Sequence, residues 1–344
     1  MATADVTVMG AGVFGLSVAY ACVRRGAQVL VIDPNGVAAG ASGGIVGALA
    51  PHVPELWNAK KAFQLESLLM SESFWGGVSD VSGMATGYAR SGRLQPLADD
   101  AAVTLARGRI ASARDLWGDH AVWDVRDAPV GWAPPSATGL VVWDTLSGLI
   151  HPRRATQALA GAVTALGGRI ETDGKPEGRV VWATGVQGLD EMTAQHTRQV
   201  GNGVKGQAAL LDFAAIGQPQ LFADWIHIVP HGDGTVAVGS TSERYYDAPA
   251  QTDAQLDDIV SRAVAAVPCL AGAAVLLRWA GVRPRSRSRA PMLGAHPFRD
   301  GEFVANGGFK IGFGMAPKVG EVMADLVLDG HDTVPADFTT HANL

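Results

Sequence analysis

The sequence is poor in cysteine, and its two cysteines stand far apart. Cys22 and Cys269 form no CxxC motif and no Cys/His cluster in the 344 residues. Isolated cysteines argue against a disulfide framework and against a zinc site, and they fit a reducing compartment. We therefore predict a cytoplasmic protein that binds no metal.

Long apolar runs and a basic leader are also missing. No stretch of about 18 uninterrupted apolar residues occurs, so no transmembrane helix is predicted. Residues 1–12 run into an apolar strand without a basic region before it, so no signal peptide is predicted. Only 17% of residues are charged and the net charge is −6, so the overall field does not favour nucleic acid. The 47% hydrophobic content is enough for one large domain or two interleaved ones.

The first 33 residues carry a nucleotide-binding pattern. An apolar strand at 6–9 leads into GAGVFG, a helical pattern follows, and a second apolar strand ends in Asp33. Gly10 permits the tight turn, Gly12 lets the backbone approach a pyrophosphate, and Gly15 lets helix and strand pack closely. Asp33 is placed to accept hydrogen bonds from ribose hydroxyls. This order of elements predicts a bound dinucleotide, although the pattern alone does not distinguish NAD from FAD.

Further motifs give the chain a family resemblance. It resembles the D-amino acid oxidase/glycine oxidase superfamily of FAD enzymes, which includes sarcosine oxidase and D-amino acid dehydrogenase. The motifs that carry the resemblance occur in the family's order over most of the chain: GAGVFG (10–15), GASGGIVGA (40–48), a helical pattern (57–75), VVWATG (180–185), VKGQ (204–207), HIVPHGDGTVAVGSTSE (227–243), AGVRP (280–284) and NGGFKIGFGMAP (306–317).

The resemblance implies an α/β fold, α+β overall, in which a Rossmann-type FAD-binding domain is interleaved with a mixed-sheet substrate domain. The expected FAD-binding domain comprises residues 1–75, 141–200 and 296–344, and the expected substrate domain comprises 76–140 and 201–295. Local patterns agree with this organisation. They predict a hairpin around residues 231–234, a helix at 153–166 and a last helix from Pro317 to Gly330.

One segment departs from the family pattern. Only residues 169–180 connect the helix at 153–166 to the ATG-type turn, where relatives carry several additional strands. The chain is therefore expected to lack most of the layer that covers the adenine side of the cofactor. No residue contact is carried over from that missing part.

The resemblance implies noncovalent FAD, because the C-terminal flavin loop, residues 311–318, contains no cysteine. Matching the family's motifs position by position predicts the residues that hold it. They are Gly10, Gly12, Val13, Phe14, Gly15, Asp33, Ala41, Ser42, Gly47, Ala183, Thr184, Gly185, Gly307, Gly308, Phe309, Lys310 and Ile311.

The expected reaction is oxidation of the C–N bond of a small amino acid by hydride transfer to flavin N5, giving an imine that hydrolyses. Such a site needs a cation to hold the substrate carboxylate, and the planar guanidinium of arginine is well suited to that task. By resemblance, Arg283 binds the carboxylate and Lys310 helps to hold it. His227 stands where relatives carry a substrate-contacting tyrosine, and His52 follows the small-residue loop, so both are candidate catalytic residues. Several aromatic side chains could shape the pocket: Trp57, Phe222, Trp225 and Trp279.

Four arginines alternate in the run RPRSRSR, from Arg283 to Arg289. Because proline cannot donate to a sheet ladder, Pro284 is predicted to end the strand at Arg283. The side chains of Arg285, Arg287 and Arg289 are then expected on a loop at the rim of the active site, either attracting anions or simply solvated.

Two other functions stay open. The motif GASGGIVGALAP also resembles the flavin module that removes a carboxymethyl group from a tRNA wobble uridine, in which case the arginines would contact phosphates. A flavin-binding subunit without catalysis is the second alternative, and a nicotinamide dehydrogenase fits the later motifs less well. The sequence does not decide which amine is the substrate. It also leaves open whether oxygen or another acceptor takes the electrons, and whether the protein is a homo-oligomer.

Overall fold

The computed structural model describes residues 3–344. Two large sheets and a small one organise this part of the chain. Its strands are β1 (Val6–Met9), β2 (Val29–Ile32), β3 (Ala48–Leu49), β4 (Arg93–Pro96), β5 (Trp123–Asp127), β6 (Leu140–Asp144), β7 (Gly148–Leu149), β8 (Arg169–Glu171), β9 (Arg179–Trp182), β10 (Gly201–Asp212), β11 (Gln220–Ala223), β12 (Ile226–Pro230), β13 (Thr235–Gly239), β14 (Val275–Ser286), β15 (Met292–Ala295) and β16 (Phe303–Asn306). Its α-helices are α1 (Val13–Arg24), α2 (Ala59–Ser82), α3 (Asp100–Trp117), α4 (Pro152–Ala165), α5 (Gly185–Ala194), α6 (Ala254–Ala266) and α7 (Gly312–Ala324).

The first large sheet has six strands in the order β15-β16-β9-β1-β2-β8. Its strands run parallel except β15, which pairs antiparallel with β16. Helices α1, α2, α4 and α7 pack with this sheet around one continuous apolar core. Strands buried on both faces require near-continuous apolar sequence, which is what VTVM in β1 and VLVI in β2 supply.

The second large sheet has eight strands in the order β14-β10-β13-β12-β11-β4-β6-β5. It is antiparallel apart from the parallel pair β4 and β11. Helix α6 covers part of it, with Leu256, Ile259 and Ala263 in a separate apolar core beside Val236 and Val238. The mixed α/β fold expected from the sequence is therefore confirmed.

Most local predictions hold. The first strand is found at the predicted residues, the second ends directly before Asp33 as predicted, and the hairpin forms from β12 and β13. The predicted helix 57–75 begins after the N-cap Asn58, whose side chain accepts from the Lys61 N–H, and it extends to Ser82. The shortened connection is also confirmed, since no strand lies between β8 and β9 in the described chain.

Two predictions that relied on proline are wrong. Strand β14 continues through Pro284 to Ser286, because β14 is an edge strand and pairs on one side only, with β10. The last helix begins at Gly312 and contains Pro317 in its interior. The loss of one intrahelical donor is tolerated there. The predicted stop is correct, since the helix continues as a π-helical turn that Gly330 caps at φ 71°.

Two strands do not follow the expected domain boundaries. β6 begins at Leu140 and belongs to the eight-stranded sheet, although residues 141–200 were assigned to the FAD-binding part. β15 belongs to the six-stranded sheet, although it lies before residue 296. None of the helices within residues 3–344 combines the length and apolarity needed to cross a bilayer.

Candidate active site

A cavity of about 870 Å³ lies between the two large sheets. On one side it is lined by residues at the carboxyl ends of the parallel strands β1, β2, β9 and β16, which is where α/β sheets bind ligands. On the other side it is lined by residues of β10, β11, β12 and β14. Its size is in the range expected for a small-molecule or cofactor site.

The glycine-rich turn forms one end of the cavity. Gly10 has φ 113°, and a Cβ atom there would overlap the carbonyl of Ala183. Gly12 is the N-cap of α1 and provides no side-chain cap. Because Gly12 and Val13 both line the cavity, the N-terminus of this helix faces it. One donor of this turn is used within the protein, since the Val13 N–H donates to Ser42 Oγ at 2.9 Å. The open backbone and the positive end of the helix suit a pyrophosphate.

Asp33 holds the turn and retains free acceptors. Its Oδ2 accepts from the Ala11 N–H at 2.8 Å, and its Oδ1 accepts from the Asn35 N–H at 3.0 Å. A carboxylate offers about four lone-pair sites, so two remain for hydroxyl donors. The acceptors of Asp33 and the exposed backbone around Gly12 therefore fit the ribose and pyrophosphate of a dinucleotide.

Most of the predicted cofactor-binding residues line this cavity. They are Gly10, Gly12, Val13, Phe14, Asp33, Ala41, Ser42, Gly47, Ala183, Thr184, Gly185, Gly308, Phe309 and Lys310. Gly15, Gly307 and Ile311 do not line it. A Cβ at Gly15 would overlap the Gly10 carbonyl, so that glycine serves the packing of α1. Neither cysteine is among the lining residues, since Cys22 is buried in α1 and Cys269 is exposed elsewhere.

Arg283 lies at the other end of the cavity. Its guanidinium donates to Ser240 Oγ and, at 3.4 Å, to the Thr241 carbonyl. It passes so close to Gly206 that a Cβ atom there would overlap it. Burial lowers the pKa of Arg283 to about 10, and the charge of Glu243 opposes that shift. The cation is therefore fixed by neutral partners.

No carboxylate oxygen in residues 3–344 lies within 4.0 Å of the Arg283 guanidinium. Glu243, the acid whose charge reaches it, is held by other groups. Lys205 Nζ lies 3.3 Å from Glu243 Oε2, Gln207 Nε2 donates to Glu243 Oε1 at 3.0 Å, and the Thr241 hydroxyl donates to the same oxygen. Glu243 is thus already paired with other groups, and the Arg283 guanidinium is free to bind an anion from the cavity.

His227 and Lys310 line the same cavity as Arg283. Burial lowers the pKa of His227 to about 3, and the charges of Arg93, Lys310 and Arg283 lower it further. Its Nδ1 is buried and has no hydrogen-bond partner in the described chain. Burial and the charge of Arg283 also lower the pKa of Lys310. His227 is therefore a neutral imidazole close to three cations, with one buried ring nitrogen that has no partner in residues 3–344.

Two sequence-based candidates lie elsewhere. His52 does not line the cavity, because its backbone N–H and Nδ1 are both engaged by Gln64 of α2. Trp57 packs against the core of the six-stranded sheet instead. The role predicted for His52 therefore has no support in its position.

Three aromatic side chains do line the cavity: Phe222, Trp225 and Trp279. Trp225 is 83% exposed. Together with Asp224 it forms the two-residue turn between β11 and β12, with φ 48° at Asp224 and 63° at Trp225. These positive angles fit the type I′ turn that such a hairpin prefers. Phe222 stacks near His227 with ring centroids 4.7 Å apart.

Sequence reasoning missed the residues that position Arg283. Ser240 accepts from it, Gly206 makes room for it, and Lys205 engages the competing acid. Lys205 and Gly206 lie in the VKGQ motif, which contributes to the family resemblance but predicts no role for either residue. The signal in the sequence is a lysine next to the apolar run AALL, because lysine is almost never fully buried unless it is paired.

Comparisons with known proteins give the chain's family and fold. The sequence profile of the family described as FAD dependent oxidoreductase (DAO) matches residues 5–326. A glycine oxidase from Pseudomonas putida is 28% identical over 379 residues, which cover 99% of each chain. The crystal structure of a glycine oxidase from Geobacillus kaustophilus has a TM-score of 0.84 at 20% identity and covers 98% of each chain, which indicates the same fold.

A longer relative also matches. The bifunctional protein ThiO/ThiG of Synechocystis sp. is 28% identical over 381 residues, which cover 99% of this chain and 55% of that protein. Two similar bifunctional proteins are each covered to 53%. The chain thus spans about half the length of these bifunctional relatives.

Proposed function

Because the chain belongs to the family of FAD-dependent oxidoreductases, we propose that it oxidises the C–N bond of a small amino acid. Glycine, a D-amino acid or an N-methyl amino acid is the substrate, and the imine product hydrolyses in water. FAD, when bound, accepts the hydride and so supplies the two-electron chemistry. The protein then has to bind the substrate, orient it and keep its amine neutral.

The unpaired guanidinium of Arg283 is the observation that carries this proposal. A buried cation without a counter-ion is costly, and a substrate carboxylate would relieve that cost through charge-assisted hydrogen bonds. Ser240 and Gly206 hold the guanidinium in one place, so the bound carboxylate would also be oriented. Orientation of this kind accounts for much of the rate in reactions that need little acid–base chemistry.

Neighbouring charges favour a neutral amine. Arg283 and Lys310 disfavour a third cation between them, which lowers the pKa of a substrate ammonium group. His227 stays uncharged in this environment, and it lines the cavity, where its ring can accept a hydrogen bond from the amine. Arg283 and Lys310 would thus hold the carboxylate, while His227 orients the amine.

The two sheets divide the work. We assign cofactor binding to the six-stranded sheet with its glycine-rich turn, including the lining residues Gly12, Asp33 and Ser42. Substrate binding belongs to the eight-stranded sheet through His227 and Arg283. This assignment uses the same chain segments as the expected interleaved domains, with two differences. β6 belongs to the substrate-binding part, and β15 belongs to the cofactor-binding part.

Anaerobic bleaching of the flavin absorbance tests the proposal. The FAD-loaded protein is mixed with glycine, sarcosine, proline and a panel of D-amino acids, and at least one of them should bleach it. The variant Arg283→Ala should keep the flavin spectrum and bind that amino acid about 100-fold more weakly, since hydrogen bonds to charged groups contribute about 1.5–3 kcal/mol each. The variant Arg287→Ala is the matched control. A yellow protein that no amine bleaches would instead support a flavin-binding subunit without catalysis.

A further inference from the structure

Residues 42–47, which we call the wall loop, form one wall of the cavity. Four carbonyls of this loop accept hydrogen bonds from residues that do not line the cavity. The bonds run from Arg153 Nε to the Gly43 carbonyl (3.0 Å), from the Arg153 N–H to the Gly44 carbonyl (3.2 Å), from His231 Nε2 to the Ile45 carbonyl (3.0 Å) and from the Ile150 N–H to the Gly47 carbonyl (2.9 Å). The start of α4 and the hairpin of β12 and β13 therefore hold this wall in place.

The hydrogen bond to Ile45 fixes the tautomer of His231. Because a carbonyl can only accept, Nε2 carries the proton and Nδ1 carries the lone pair. Nδ1 is buried and has no hydrogen-bond partner in the described part of the chain. A second proton on Nδ1 would therefore have no acceptor, and the charge would lie on a side chain that is shielded from water. His231 thus holds the wall loop as a neutral imidazole.

A second imidazole lies against the first. The rings of His151 and His231 have their centres 4.6 Å apart and are tilted by 35°. His151 is the N-cap of α4, and its Nδ1 accepts from the Arg154 N–H at 3.5 Å. Protonation of His151 would remove this acceptor and would place a cation at the positive end of the helix. Because Arg153 in the same first turn binds the wall loop, a proton on either imidazole acts against the bonds that hold the loop.

Few other charges act on the two histidines. Arg154 and Asp233 act on both of them, and these two side chains are paired with each other at 2.7 Å. The wall loop and residues 86–87 also contact the pair, and neither segment contains a charged residue. Burial, and then the charges of His231 and Arg154, lower the pKa of His151 to about 4. Burial also lowers the pKa of His231, so both imidazoles are neutral at pH 7.

We propose that His151 and His231 form a pH-sensitive latch on the wall loop, which keeps the cavity shaped for FAD while both are neutral and loosens it when either is protonated. The released histidines meet water and take up protons at their ordinary pKa of 6.5, whereas the latched ones resist protonation. The latch is therefore fully closed above pH 6.5 and weakens as the pH falls from 6.5 toward 4. This inference goes beyond the proposed function, since it concerns how the chain holds FAD and not what it oxidises.

The affinity for FAD at two pH values tests the latch. Equilibrium dialysis of the FAD-loaded protein against graded FAD concentrations gives the dissociation constant at pH 7.5 and at pH 5, and circular dichroism checks that the chain is folded at both. The dissociation constant of the wild type should rise about tenfold at pH 5, because one linked proton changes an equilibrium up to about tenfold per pH unit. An equal affinity at the two pH values would overturn the inference.

Variants that cannot be protonated assign the pH dependence to the latch. In His231→Gln an amide N–H can still donate to the Ile45 carbonyl, so FAD should bind about as tightly as in the wild type at pH 7.5 and lose about threefold less affinity at pH 5. His151→Asn keeps a good N-cap residue on α4 and should have the same effect. His231→Leu removes the donor and should weaken FAD binding about fivefold already at pH 7.5. The exposed His331→Gln is the control and should match the wild type.

His227 also lines the cavity, and all of these variants retain it, so its contribution to the pH dependence cancels in the comparison. If both His231→Gln and His151→Asn lose as much affinity at pH 5 as the wild type, the latch is wrong. If His231→Leu binds FAD as tightly as His231→Gln at pH 7.5, the bond to Ile45 does not hold the loop and the inference also fails. None of these results depends on which amine bleaches the flavin, so the proposed function is tested separately.

Discussion

Gly206 of β10 lies against the guanidinium of Arg283 on the neighbouring strand β14, and a methyl group at Gly206 would overlap it. The absence of a side chain at Gly206 therefore determines where Arg283 can lie. The same part of β10 contributes Lys205, which engages Glu243 and keeps this acid from pairing with Arg283. Two consecutive residues of one strand thus determine where the Arg283 guanidinium lies and that Glu243 does not pair with it.

Gly206→Ala should displace the Arg283 guanidinium and weaken binding of methoxyacetate, a small carboxylate without an oxidisable amine, about tenfold or more, a loss of about 1.4 kcal/mol. FAD binding should be retained, because Gly206 does not line the cavity. Calorimetric titration of the FAD-loaded protein measures the effect. The matched control is Gly232→Ala in the hairpin between β12 and β13, where an added Cβ meets no atom within 4 Å. Unchanged affinity in Gly206→Ala would contradict the positioning role.

Lys205→Met should destabilise the protein and weaken carboxylate binding together. Removing one partner of a buried ion pair costs about 3 kcal/mol, and the released Glu243 becomes a competitor for Arg283. The double variant Lys205→Met/Glu243→Gln should recover both properties, since it removes the uncompensated acid. Denaturant unfolding and ligand titration measure the two effects, with the exposed Lys175→Met as control. A double variant no better than Lys205→Met would refute this explanation.

His227 should make the folded state less stable in acid. Its pKa is about 3 in the folded protein and 6.5 in its ordinary state, so below pH 6.5 the unfolded chain takes up a proton that the folded protein does not. Stability therefore falls as the pH drops through this window, by about 2 kcal/mol between pH 7 and pH 5 from this residue. His227→Gln should remove that part of the loss.

Denaturant unfolding of the FAD-loaded protein at pH 7 and pH 5 measures this difference. The exposed His331→Gln should behave like the wild type and serves as the control. The cations that keep His227 neutral come from β4, β14 and the loop before α7, namely Arg93, Arg283 and Lys310. Identical pH dependence in His227→Gln and the wild type would mean that His227 is protonated in the folded state as readily as in water.

Gly12→Val should produce a folded protein with little FAD. A Cβ at Gly12 would lie 3.2 Å from Ser42 Oγ, and the two further methyl groups would occupy the space in front of the α1 N-terminus. FAD retained after gel filtration, read from the flavin absorbance per chain, should fall about tenfold or more. Gly40→Ala at the same end of the cavity, where φ is −91° and no atom lies within 4 Å of an added Cβ, should retain FAD.

The nucleotide half of the site could be predicted from the sequence because its parts are close together in the chain. Gly10, Gly12 and Asp33 lie within one strand, helix and strand, and each obeys a local rule of turn geometry or capping. The hairpin of β12 and β13 was predictable for the same reason. Pro284 and Pro317 misled the prediction, because the edge strand β14 tolerates a proline and the helix α7 continues despite the loss of one intrahelical donor.

The sequence by itself determined the fold class, the dinucleotide end of the cavity and the identity of Arg283 as the carboxylate-binding candidate. Only the tertiary structure decided that His52 is engaged by Gln64, that Glu243 is occupied by Lys205, and that Arg287 is separated from its neighbours in the arginine run. These outcomes depend on which strands become neighbours and on which polar groups the fold brings within hydrogen-bond distance of each charge. Such pairings join residues far apart in the chain, and no local pattern records them.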